Sequence, residues 1–119
     1  QNPVSVLALK KAIKESFIYK KLILVLGVSS DKDIPGICQQ LKDISDIIIL
    51  TKADNPRASQ PEYIKEKAKL AKAVLTKSTN EAIELAKSKA KKDDLILITG
   101  SLFVVGEARG LLKNAKGLS

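Results

Sequence analysis

The chain has 119 residues, 45% apolar and 29% charged, which is the composition of one globular domain rather than of a disordered segment. No apolar run approaches the ~18 residues of a membrane span, and no basic segment followed by a long apolar one marks a signal peptide. The 21 basic and 13 acidic residues leave a net charge of +8, but the only arginines are Arg57 and Arg109 and aromatics make up 3%. Nucleic-acid surfaces favour arginine forks and stacking rings, so a lysine-rich solvated shell is the preferred reading of the charge. The absence of histidine excludes a Ser-His-Asp triad and a histidine general base. The single Cys38 excludes an internal disulfide, and the lack of a cysteine cluster excludes a zinc site, which fits a reducing cytosol. The chain opens on Gln1 and contains no Met, so a fragment or processed product is expected.

Asn2-Pro3 has the form of a helix cap followed by proline at the first helical position. Val6, Leu9, Ile13 and Phe17 then recur at helical spacing with Lys10, Lys11 and Lys14 outside, which predicts a helix over residues 3–17. The continuous apolar run at residues 22–26 predicts a strand covered on both faces. A helix follows over 34–42, with Pro35 tolerated in its first turn. Residues 46–51 predict a second strand, and a polar loop over 52–60 leads to a helix opened by Pro61-Glu62 and ending near residue 70. Ala73-Val74-Leu75 is a short strand, and Ser78-Thr79-Asn80-Glu81 starts a helix whose inner face carries Ala82, Ile83, Ala86 and Ala90. Asp93-Asp94 ends it. A strand over 94–99 and a helix over 102–113 complete the pattern.

Regular alternation of helices and strands predicts an α/β fold, a Rossmann-like three-layer sandwich with a mostly parallel sheet and helices on both faces. Ligands of such sheets bind beyond the C-terminal strand ends. Three segments belong there: residues 27–33, 51–57 and 99–101. Neither a phosphate-binding G-x-x-x-x-G-K-[ST] nor a G-x-G-x-x-G is present.

Each strand-end segment admits a structural and a chemical reading. Gly100-Ser101 is either a tight turn capping the next helix or an anion cradle in which helix-start N–H groups meet a ligand. Asp31-Lys32-Asp33 is either a solvated turn whose acid caps a helix, or a loop aiming Lys32 at an anion and Asp33 at a cation or amine. Asn55-Pro56-Arg57 is a turn carrying the sole strand-end arginine, whose planar fork suits a carboxylate or phosphate. Glu107 and Arg109 fall on the expected last helix, and Cys38 reads as a small core residue.

Taken in order, Asn2-Pro3, Val25-Leu26-Gly27-Val28 with Asp31-Lys32-Asp33, Leu50-Thr51 with Asn55-Pro56-Arg57-Ala58, and the segment over residues 94–107 containing Thr99-Gly100-Ser101-Leu102 and Val105-Gly106-Glu107 resemble the C-terminal domain of folylpolyglutamate synthase/dihydrofolate synthase, within the Mur ligase superfamily. The resemblance spans nearly the whole chain. It implies that residues 1–119 are a Mur ligase-type C-terminal (glutamate-ligase) domain, inactive alone, whose N-terminal ATP-binding domain holds most of the contacts to ATP and Mg2+. The implied reaction activates a carboxylate of dihydropteroate or folate as an acyl phosphate, which the amine of L-glutamate attacks. The implied compartment is the cytoplasm.

By the same resemblance, Arg57 and Ser101 bind the glutamate, while Asn2, Asp31, Lys32 and Asp33 face the interdomain cleft. Gln1 stands where the family carries a histidine. Its amide can still hydrogen-bond a carboxylate but cannot become cationic near neutral pH. That departure keeps open a Mur-type ligase for another amino acid and acid. The net charge keeps open a non-catalytic basic α/β binding module.

Overall fold

A computed structural model describes residues 3–98, 101–106 and 112–114. The chain begins with α1 (Pro3–Ser16) and β1 (Leu22–Leu26), followed by α2 (Ile34–Lys42), β2 (Ile47–Leu50) and α3 (Pro61–Lys67). Then come β3 (Val74–Leu75), α4 (Thr79–Lys89), β4 (Leu95–Ile98), β5 (Ser101–Val105) and β6 (Leu112–Asn114). The strands form one sheet in the order β3-β2-β1-β4-β5-β6. β1 runs parallel to both β2 and β4, and β2 parallel to β3.

The continuous apolar runs divide between the two faces because successive strand residues point to opposite sides. Leu22, Leu24 and Leu26 of β1 pack with Val6 and Ile13 of α1, Ile37 and Leu41 of α2, and Ile64 of α3. Ile23 and Val25 join Ile49, Ile96, Ala82 and Ala86 on the face covered by α4. Helix, sheet and helix layers result, as the alternation predicts. Ala82 and Ala86 are buried as expected of the inner face, while Ile83 is half-buried.

Lys10 departs from the expected outward position. Its stem is held in the groove between α1 and α2, where the Nζ donates to Gln40 Oε1 at 3.3 Å and pairs with Asp43 at 3.5 Å. A lysine stem can cover apolar surface while its head reaches polar groups at the rim. Lys67, Lys69, Lys72, Lys89, Lys91 and Lys92 are exposed, as a solvated shell requires. Among the described residues no helix is long and apolar enough to cross a membrane.

The structure overturns the helix expected over residues 102–113. Ser101–Val105 is β5, antiparallel to β4 in the register Ile98↔Ser101 and Leu95↔Val104. β6 then pairs antiparallel with β5. Only two residues separate Ile98 from Ser101, a length that joins antiparallel neighbours but cannot carry the crossover a parallel strand needs. Leu102-Phe103-Val104-Val105 is also aromatic and β-branched, a composition suited to a sheet. Glu107 and Arg109 lie outside the described residues.

Cys38 is buried on the sheet-facing side of α2, and burial pushes its thiol from 9.0 up to about 11. The unfolded thiol ionises first, so this group's contribution to stability is intact below pH 9.0 and is lost as pH rises through about 11. Iodoacetamide labelling at pH 8 is expected to be slow in the native state and fast in denaturant. Comparable rates in both states would show that the thiol is accessible.

Candidate functional site

The order of the sheet locates the candidate site. From β1 the chain moves through α2 to β2 on one side, and later returns through α4 to β4 on the other. The direction of winding therefore reverses between β1 and β4, and a crevice opens beyond the C-terminal ends of adjacent strands at such a point.

Two strand-end loops are joined there by backbone hydrogen bonds. The Thr51 amide donates to Leu26 O at 2.9 Å, the Ser59 amide to Val28 O at 2.9 Å, and the Ser30 amide to Arg57 O at 2.7 Å. Ser29 and Ala58 form an isolated antiparallel bridge between the loops. The loop after β1 and the loop after β2 are thus held side by side, although 25 to 31 positions of sequence separate the paired groups.

Gly27 allows this approach. A Cβ at Gly27 would lie 3.0 Å from Ala53 N and 3.2 Å from Thr51 O, both backbone atoms.

Local chemistry shapes the second loop. The Ala58 amide donates to Asn55 O at 3.1 Å and closes a turn with Pro56 and Arg57 at its centre. Proline favours the first central position of such a turn, and an asparagine before it can accept from the backbone two residues on. Asn55 does so, with its Oδ1 accepting from the Arg57 amide at 2.9 Å. The backbone of Arg57 is therefore held through both its N–H and its C=O.

The Arg57 side chain is 74% exposed, and its Nη1 lies 3.3 Å from Asp31 Oδ2. Asp33 is the cap of α2, its carboxylate accepting from the Gly36 amide at 3.1 Å. The structure thus gives Asp33 the capping role that was one of its two readings. Lys32 lines a small cavity of about 130 Å³ with Gly27, Ser29 and Asn55. A wider cleft of about 640 Å³ lies between residues 52–56 and the start of α4, with Lys52 and Lys77 on its walls. The N-terminus of α4 is closed by its own residues. Ser78 accepts from the Glu81 amide at 3.1 Å, and the Glu81 carboxylate accepts from the Lys77 amide at 3.4 Å.

Ser101 opens β5 opposite Ile98, so its backbone lies at the same end of the sheet as Gly27. It does not begin a helix, and the helix-start N–H groups expected to form an anion cradle are replaced by a β ladder. Gln1 and Asn2 lie outside the described residues. The structure therefore joins Arg57 to Asp31, puts Lys32 and Asp33 in the same loop, and leaves Ser101 at the same end of the sheet. The Asp31–Arg57 pair and the serine amides that zip the loops leave no mark in the sequence, because the contacts cross between loops and follow no local period. Asn55-Pro56 was a local signal for the turn that presents Arg57.

Comparison with known proteins agrees with this geometry. The family model described as Mur ligase, glutamate ligase domain, matches residues 1–102. A dihydrofolate synthase/folylpolyglutamate synthase of Buchnera aphidicola is 29% identical over 106 residues, covering 89% of this chain and 25% of that protein. A UDP-N-acetylmuramoyl-L-alanyl-D-glutamate--2,6-diaminopimelate ligase of Clostridium acetobutylicum is 36% identical over 101 residues, covering 77% of this chain and 21% of that protein. The structure of E. coli FolC in complex with DHPP and ADP superimposes with a TM-score of 0.75 at 26% identity, covering 82% of this chain and 23% of that one. The chain spans about a quarter of the length of these relatives. With the family model covering 102 residues, and the sheet matching that of a solved relative, the chain belongs to the Mur ligase family through its glutamate ligase domain.

Proposed function

We propose that this chain is the amino-acid-binding domain of a longer ATP-dependent amide ligase that adds L-glutamate to dihydropteroate or a folate. The observation that carries the reading is Arg57, held by its backbone at the strand-end crevice with its guanidinium facing outward. Four of its five N–H donors remain available for a carboxylate if Asp31 takes one. In the overall reaction, ATP and the two substrates give ADP, phosphate and an amide. This domain's part is to hold glutamate so that its neutral amine meets the activated acyl carbon, and positioning of that kind supplies a large share of a ligase's rate.

The sequence holds no phosphate-binding loop, and among the described residues no three His, Cys, Asp or Glu side chains come together. Most contacts to the nucleotide and its metal therefore belong to an N-terminal domain in this reading, with Asn2, Asp31, Lys32 and Asp33 at the cleft between the two. A cytoplasmic location goes with this reading.

The test is an amino-acid screen of the full-length protein with ATP, Mg2+ and dihydropteroate or a folate. ADP release and amide formation are expected with L-glutamate, and none is expected from the 119-residue chain alone. Amide formation by the isolated chain would overturn the division of labour. Gln1 and Ser101 also meet the glutamate carboxylates in this reading, so Ser101→Ala is expected to raise the KM for glutamate about tenfold or more, the loss of a hydrogen bond to a charged group. An unchanged KM would remove Ser101 from the site.

A second reading is favoured by one observation. Three relatives at 33–36% identity are diaminopimelate ligases, against 25–31% for the folate-type relatives. Selection of 2,6-diaminopimelate over glutamate in the same screen would establish it.

A further inference from the structure

The geometry points to Asp31 as the positioning residue of the site: it holds the Arg57 guanidinium by one edge and leaves the rest of the fork open to the amino-acid carboxylate. The inference rests on the proposed role of Arg57 as the carboxylate anchor. The two loops fix the Arg57 backbone through Asn55 and Ser30, but a backbone clamp leaves a long side chain free to turn. Among the described residues, the side-chain hydrogen bond that restrains the guanidinium is Nη1 to Asp31 Oδ2 at 3.3 Å. Asp31 belongs to the opposite loop and follows Ser30, whose amide donates to Arg57 O, so the bonds that join the loops also set its carboxylate beside the guanidinium.

Both partners are largely solvated, with side-chain exposures of 74% and 46%. An exposed pair of this kind contributes little to folding. Its consequence falls on binding, because a guanidinium already oriented loses less rotational freedom when the carboxylate arrives. The contact uses one Nη1 donor, so Asp31 orients the fork without occupying it.

The experiment measures steady-state kinetics of the full-length ligase at varied L-glutamate with the other substrates saturating. Asp31→Asn keeps the shape and removes the charge. It is expected to raise the KM for glutamate about threefold to tenfold, the cost of ordering one long side chain, with kcat within about twofold and the KM for ATP unchanged. Asp31→Glu, which keeps the charge, is expected to recover most of the loss. In an Arg57→Ala background, Asp31→Asn is expected to add nothing, since the group it orients is gone. Thermal unfolding should move by no more than about 3 °C.

An unchanged or lowered KM for Asp31→Asn, beside a raised KM for Arg57→Ala, would overturn the role of Asp31 and leave that of Arg57 standing. An unchanged KM for Arg57→Ala would remove the anchor itself and both inferences with it. Equal, additive losses from Asp31→Asn in both backgrounds would show that Asp31 acts without Arg57 and would overturn the positioning role.

Discussion

Arg57→Ala is expected to raise the KM for L-glutamate in the full-length ligase by about 10- to 150-fold, the range of a lost hydrogen bond to a charged group. The side chain is 74% exposed and its ion pair with Asp31 is a surface pair, so the fold does not depend on it. The melting temperature should therefore stay close to that of the parent, which separates lost binding from lost structure. Arg57→Lys keeps the charge but replaces the planar fork with a point charge, and should recover only part of the affinity. If the KM for glutamate is unchanged while activity is retained, the anchor lies elsewhere and the strand-end turn is structural only.

The core of the fold was legible because its signals are local. Five consecutive apolar residues at Leu22–Leu26 can be buried only if both faces of the sheet are covered. Asp33 and Ser78 announce the starts of α2 and α4 because their side chains cap the following turns. The C-terminal segment departs from its local pattern for a definite reason. The βαβ rhythm of the first four strands suggested another helix after Gly100-Ser101, and a hydroxyl residue after glycine suits a helix start as well as a strand. What distinguishes the two is the pairing of Leu102 with Leu97 and Phe103 with Ile96 across the hairpin. That is a tertiary choice which overrides a repeating pattern.

The candidate site was legible at the level of its loops but not of its contacts. Topology alone directs attention to the strand ends, so residues 27–33 and 51–57 could be singled out before any geometry was known. The pairing of Asp31 with Arg57 could not, since it depends on how closely the two loops pass. That distance is set by the bonds from Ser30 to Arg57 and from Ser59 to Val28. The reading of Asp33 as a cleft acid competes with its bond to the Gly36 amide, which already occupies one carboxylate oxygen.

Gly27→Ala is expected to destabilise the domain by about 1–3 kcal/mol, the usual cost of forcing a methyl group into a packed site, or roughly 4–12 °C in Tm for a chain of this size. The new methyl would stand 3.0 Å from Ala53 N and 3.2 Å from Thr51 O, and neither atom can rotate aside as a side-chain tip can. Gly36 offers the contrast. A Cβ there overlaps the Asp33 carboxylate and lies 2.9 Å from the Pro3 ring, so the atoms that must give belong to side chains, and the loss includes that of the α2 cap, about 1 kcal/mol. At Gly27 the relief must come from the loop itself. Ala53 can retreat only by drawing residues 51–57 away from β1, which stretches the Thr51 amide bond to Leu26 O and the zip that follows it. The same displacement moves the Asn55–Arg57 turn, so Gly27→Ala should raise the KM for glutamate as well as lower Tm. Circular dichroism melts paired with glutamate kinetics on this variant test the coupling. A Gly27→Ala protein with parental Tm and KM would show that the loops have room the geometry does not display, and that the site does not depend on their close approach.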